Sequence, residues 1–134
     1  MSKTISAYIG TDKYTTEVRA SGKVMLSDEP VDLGGQDKGF TPEELLGASL
    51  GACTCITLRM YADRKEWPLE RVETIVTIER LKEQKVTNIT ESITLHGPLS
   101  DEQKERLMVI AKKCPIYETL TQPINITKQL SATV

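Results

Sequence analysis

Three cysteines and one histidine set the chemistry open to this chain. Cys53 and Cys55 stand two residues apart inside an apolar stretch, and Cys114 stands directly before Pro115. Such thiols have two uses. As a thiolate, a cysteine attacks an electrophilic oxygen or sulfur and ends as a sulfenic acid or a disulfide. As a thiol, it is a small hydrophobe, and free cysteine is among the most buried residue types. Residues two apart on a helix point to nearly opposite faces, so Cys53 and Cys55 make a poor pair. Cys-Thr-Cys is neither a Cys-x-x-Cys redox motif nor a zinc half-site, and Cys55 reads as structural. His96 precedes Gly97-Pro98, a turn signal, and reads as a surface residue at a strand end. That leaves no Cys/His metal site, and no Cys–His nucleophile pair unless His96 alone serves.

The element that must position Cys53 is a helix with a clear start. Thr41-Pro42-Glu43-Glu44 is a capping box: the Thr41 hydroxyl can accept from a first-turn amide and Glu44 can reach back. Pro42 sits where its missing donor costs nothing. Fourteen residues without a charge follow, Leu45 to Leu58, with Gly47, Ala48, Ser49, Gly51 and Ala52 permitting close backbone approach. A helix apolar on every side is expected to be buried on every side. The chargeless run is shorter than the roughly 20 residues that span a bilayer, so no membrane role is expected. A chain of 134 residues, 39% hydrophobic with one Trp and one Phe, has little apolar surface to spare for coating such a helix. A second copy of the chain is the simplest cover.

Length fits a single domain over residues 1–134. The net charge of −2 is spread along the chain, with no basic block and no nucleic-acid module. The N-terminal stretch alternates and lacks the apolar core of a signal peptide, and an odd cysteine count argues against a disulfide framework. A soluble, cytoplasmic protein is the expectation.

Along the chain, residues 4–9 and 14–19 flank Gly10-Thr11-Asp12 as a hairpin, and Ser21-Gly22 turns into a third strand that Pro30 ends. Residues 31–40 form a loop before the helix, which runs from Pro42 to about Arg64 and stops at Trp67-Pro68. Residues 70–82 and 86–96 are long and β-branched and read as a second hairpin. Ser100 to Gln103 is another capping box, opening a helix to about Lys113 with Leu107, Ile110 and Ala111 as its apolar stripe. Residues 116–121 fit one more helical turn and Pro123–Lys128 a closing strand. The order βββ-α-ββ-α-β is an α+β domain with antiparallel sheets around a long buried central helix.

Pro42-Glu43-Glu44-Leu45-Leu46, then Ala48-Ser49-Leu50-Gly51-Ala52-Cys53, with Cys114-Pro115-Ile116 some sixty residues on, resembles the OsmC/Ohr family of osmotically inducible and organic hydroperoxide resistance proteins. The resemblance also takes in Asp28-Glu29-Pro30, Gly34-Gly35 and the stretch from Leu58 to Val72. It implies an intertwined homodimer and a thiol peroxidase that reduces organic hydroperoxides, and hydrogen peroxide with them, without metal or organic cofactor. Carried over residue by residue, Cys53 would attack the peroxide and Cys114 would resolve the sulfenic acid as a disulfide. An external dithiol, lipoyl-protein or small-thiol, would restore both thiols. The family's activating Arg, held by the Glu after the helix proline, falls on Arg19 and Glu43, with Lys23 as the rival cation. Glu43 and Cys53 are ten residues apart, about 15 Å along one helix, which favours a site shared between antiparallel helices of two subunits. Two other readings stand beside it: a stress protein of the same fold with a binding or structural role, and a different thiol-dependent enzyme on the same scaffold.

Overall fold

The computed structural model describes residues 2–134. The chain forms two compact units, one of residues up to Ala48 with Thr77–Ile89, the other of Ser49–Val76 with Thr90–Val134.

In the first unit, β1 (Ser6–Tyr8), β2 (Thr16–Ala20) and β3 (Lys23–Ser27) make a three-stranded antiparallel sheet in that order. Val18 lies opposite Ala7 on one side and Met25 on the other. Ser21 and Gly22, both with positive φ, make the tight β2–β3 turn. After β3 the buried Asp28 organises the loop. Its carboxylate accepts from the Thr15 hydroxyl at 2.7 Å and from the amides of Glu29 at 2.8 Å, Tyr14 and Lys38 at 3.2 Å and Gln36 at 3.4 Å. Burial pushes this carboxyl up, but the hydrogen bonds outweigh it and hold Asp28 at about 2. A 3₁₀ turn, Val31–Leu33, follows.

The long helix α1 covers Pro42–Lys65. Its capping box forms as the sequence predicts: Glu44 N donates to Thr41 Oγ1 at 3.1 Å and Thr41 N to Glu44 Oε1 at 2.8 Å. At its other end Glu66 takes φ 56°, and the amides of Glu66 and Trp67 return to the carbonyls of Asp63 and Ala62. That is a left-handed cap before the Trp67-Pro68 stop. At 24 residues the helix outruns its chargeless stretch. Contrary to expectation, it is long and apolar enough to cross a membrane by length and composition, a test that the core helix of a soluble protein also meets.

The strands β4 (Arg71–Leu81) and β5 (Val86–His96) form an antiparallel hairpin whose residues alternate between half-buried and exposed. Helix α2 (Asp101–Ala111) opens on the predicted capping box, with Gln103 N on Ser100 Oγ at 3.2 Å and Ser100 N on Gln103 Oε1 at 3.0 Å. Helix α3 (Pro115–Leu120) is the predicted extra turn.

The core lies in the second unit: Leu58 and Ala62 of α1, Leu69, Leu99, and Leu107, Ile110 and Ala111 of α2, with Trp67, Val72, Ile93 and Leu95 packed on them. Two glycines permit close approach there. A Cβ on Gly51 would stand 3.0 Å from Thr74 Oγ1, and one on Gly97, whose φ is 134°, would collide with the Pro68 carbonyl. The helix is not buried on every side by its own chain. Leu50, Thr54, Leu58 and Ala62, spaced four apart, are buried, whereas Ile56 and Met60 are 54% and 62% exposed. The α+β class with antiparallel sheets stands as predicted, but the closing strand does not form. Residues Pro123–Lys128 hold no regular structure, and Ile124 and Ile126 are exposed. Their β-branched pattern has the propensity for a strand, but no strand among the described residues pairs with them to supply a ladder.

Candidate functional site

Cys114 and Cys53 meet, although some sixty residues separate them. Two helix boundaries place Cys114. Helix α2 ends after Ala111, and Pro115 starts α3, so Cys114 is the N-cap of α3 with φ −59° and ψ 128°. The proline imposes that extended conformation on the residue before it. The Cys114 side chain is wholly buried and its thiol hydrogen-bonds with that of Cys53. Cys53 is half-buried in the fourth turn of α1, its sulfur 4.0 Å from Thr57 Oγ1. Burial pushes the Cys114 thiol up, and the contact with Cys53 adds to this. The amides of Tyr117 and Ile116, which point at the sulfur from the first turn of α3, pull the other way. Cys114 is therefore a protonated thiol at neutral pH, held against a second, more accessible sulfur. Two neighbouring thiols of this kind have the chemistry to form a disulfide when one of them is oxidised.

Cys55 faces elsewhere, as its spacing predicts. Its thiol points at the Val72 carbonyl of β4, 3.8 Å away. His96 ends β5 and is exposed, yet it has a partner: its Nε2 is 2.8 Å from Glu73 Oε2, and Arg71 pairs with the same carboxylate at 2.7 Å. The His96 hydrogen bond and then the Arg71 charge hold Glu73 below the usual carboxylate range.

Arg19, Lys23 and Glu43 belong to the first unit. The Arg19 guanidinium, on β2, pairs with Glu17 at 2.8 Å. Lys23 Nζ donates to the Ser21 carbonyl at 3.3 Å, and both cations line one shallow cavity of about 230 Å³ with Thr4 and Ser6. Glu43 is exposed in the first turn of α1, where the helix dipole favours an acid. Among the described residues no ion pair joins Arg19 to Glu43.

Sequence reasoning missed one polar contact beside the thiols. The buried Thr54 hydroxyl stands 3.0 Å from the Leu50 carbonyl and 3.0 Å from Glu91 Oε1, while Glu91 Oε2 is buried with no partner among the described residues. The signal was present in β5: Ile89, Glu91, Ile93 and Leu95 share the inward register of an alternating strand. An acid in that series should have been read as facing the core.

A family model described as OsmC-like protein matches residues 35–128. Among solved structures, the OsmC-like protein of Mycoplasma pneumoniae aligns over 90% of this chain and 88% of its own, with 23% identity and a TM-score of 0.76. The organic hydroperoxide resistance protein OsmC of Legionella pneumophila aligns over 90% and 89%, with 22% identity and a TM-score of 0.62. OhrB, the organic hydroperoxide resistance protein of Bacillus subtilis, aligns over 89% and 90%, with 17% identity and a TM-score of 0.61. No curated protein matches. At these identities the solved structures establish the fold, and the family model, which spans more than half of the sequence, establishes the kinship. The chain belongs to the OsmC-like family.

Proposed function

We propose that the protein is a thiol peroxidase that reduces organic hydroperoxides in oxidative-stress defence. The observation that carries this reading is the contact between a half-buried Cys53 and a wholly buried, protonated Cys114. The relatives called organic hydroperoxide resistance proteins support it. In the proposed cycle the Cys53 thiolate attacks one peroxide oxygen. The O–O bond breaks, the alkoxide leaves and takes a proton as alcohol, and Cys53 becomes a sulfenic acid. Cys114 then attacks that sulfur. Its proton and the sulfenic hydroxyl depart as water, and a Cys53–Cys114 disulfide remains. An external dithiol returns both thiols by two exchanges and is itself oxidised to a disulfide. Arg19, with Glu43 as its holder, is the first candidate for the cation that favours the Cys53 thiolate, and Lys23 is the second.

The proposed working form is a cytoplasmic homodimer. Ile56 and Met60 on α1, and Ile124, Ile126 and Leu130 in the unpaired C-terminal segment, are apolar surface that a second copy would cover. Sedimentation at micromolar protein should give twice the chain mass, and a stable folded monomer would end the shared-site reading.

Turnover of cumene hydroperoxide with a dithiol reductant tests the chemistry. Cys53→Ser should be inactive. Cys114→Ser should consume about one equivalent and stall as Cys53 proceeds to the sulfinic acid, and Cys55→Ser should keep most activity. Turnover by Cys53→Ser at the wild-type rate overturns the assignment. The pairing of Arg19 with Glu17 rather than Glu43 favours a second reading, a binding or structural stress protein without peroxidase activity. That reading predicts no loss of free thiols on hydroperoxide addition.

A further inference from the structure

The residue after Cys53 is Thr54, 1% exposed, and its hydroxyl is 3.0 Å from two oxygens, Leu50 O and Glu91 Oε1. A hydroxyl has one proton and two lone pairs, so it cannot give a full hydrogen bond to both. Were Glu91 a carboxylate, Thr54 would donate to Oε1, and the Leu50 carbonyl would face a lone pair at hydrogen-bonding distance. A protonated Glu91 removes the conflict, because its O–H donates to Thr54 Oγ1 and Thr54 donates to Leu50.

The other carboxyl oxygen makes a second argument. Glu91 Oε2 is buried without a partner among the described residues. As part of a carboxylate it would be a desolvated charge lacking a hydrogen bond. As the carbonyl oxygen of an acid it is a neutral acceptor, far cheaper to bury. Among the described residues no counter-charge acts on it. On α1, Leu50, Gly51 and Thr54 carry none, and of the thiols flanking Thr54, Cys55 has its sulfur on the Val72 carbonyl and Cys53 its sulfur by Thr57 and Cys114. On β4, Thr74 and Val76 lie against Gly51. Burial pushes the Glu91 carboxyl up, against a smaller pull from the Thr54 bond, and no charged group acts on it.

We infer that Glu91 carries a proton at neutral pH and, by donating to Thr54, is a positioning residue that fixes the turn of α1 bearing Cys53. The value of that positioning for catalysis rests on the function proposed above; the protonation does not.

Glu91→Gln tests the proton, because its amide N–H can make the same donation to Thr54 without titrating. In the unfolded chain Glu91 ionises near its ordinary 4.5, so the wild type must take up a proton to fold above that pH. Urea unfolding from about pH 5 to about pH 8 should show the folding constant of Glu91→Gln, relative to wild type, rising by up to about tenfold per pH unit. A ratio that stays constant, or that falls, overturns the protonation. Infrared spectra of the wild type give an independent readout. A protonated-carboxyl C=O band should be present at neutral pH, where the other acids are ionised, and missing in Glu91→Gln; its absence from the wild type overturns the proposal. Positioning is read from the rate at which glutathione disulfide closes the Cys53–Cys114 bond. The rate should be unchanged in Glu91→Gln and severalfold slower in Glu91→Ala. A wild-type rate in a folded Glu91→Ala overturns the positioning role and leaves the peroxidase reading standing. A protonated Glu91 in a chain that turns over no hydroperoxide refutes the peroxidase reading alone.

Discussion

Closing a disulfide between Cys53 and Cys114 should make the protein markedly harder to unfold. The bond would tie off a loop of about 60 residues, and the loss of loop-closure entropy in the unfolded chain is then worth about 4 kcal/mol. Strain ordinarily erodes such gains, because engineered sulfurs must be dragged together. Here the two thiols already touch across the end of α2 and the middle of α1, so most of the gain should survive. With a urea m-value of about 2 kcal/mol/M for a domain of this size, the midpoint should move by about 2 M. The assay compares urea unfolding of protein treated with one equivalent of cumene hydroperoxide and of the same protein kept reduced. Thiol titration alongside should show a fall of two. Two results would refute the reasoning: a midpoint that stays put despite the loss of two thiols, meaning that the bond formed between other sulfurs or strained the fold, or a lower midpoint in the oxidised protein.

Other expectations follow from single residues. Asp28 lies well below its ordinary 3.8 in the fold, so its contribution to stability is full above that value and fades as pH falls toward about 2. Asp28→Asn, which loses the charge and one of the two acceptor oxygens that five donors share, should lower the melting temperature at neutral pH and flatten its acid dependence between about pH 4 and about pH 2. Leu107→Ala opens a cavity against Leu58 and Ala62, all three fully buried, and should cost about 3–5 kcal/mol in denaturant titrations. Peptide-resolved alkylation at neutral pH should slow at Cys53 in Arg19→Ala and Glu43→Ala and stay close to wild type in Lys23→Ala. If only Lys23→Ala slows it, the lysine is the cation.

Much of this architecture was legible because local signals were unambiguous. Thr41/Glu44 and Ser100/Gln103 are reciprocal caps that need nothing beyond their own helix, and both form. Pro68 keeps α1 from continuing past Trp67, and Pro115 holds Cys114 extended ahead of α3, both by local sterics. What depends on distant residues was not legible. Residues 123–128 have the composition of a strand, but a strand needs a neighbour that sequence cannot name. No spacing rule places Cys114 against Cys53; that pairing came only from the resemblance. Burial of α1 on every side was inferred from the absence of charge, and the chain covers a single face, because hydrophobicity states what must be hidden without stating what hides it. Asp28 and Glu91 carry the same side-chain chemistry one methylene apart, yet the fold drives them in opposite directions. Asp28 gathers four backbone amides and a hydroxyl, while Glu91 meets one hydroxyl.

The unequal depth of the two sulfurs fixes the direction of the return half of the proposed cycle. Cys114 is sealed off, so an incoming thiolate can reach only Cys53, and the mixed disulfide must form there with Cys114 as the departing sulfur. The amides of Ile116 and Tyr117 receive that sulfur as it leaves and offset part of the resistance that its burial imposes. In the proposed cycle a reductant must therefore bring its thiol to the half-buried Cys53, beside Thr57, and not to Cys114.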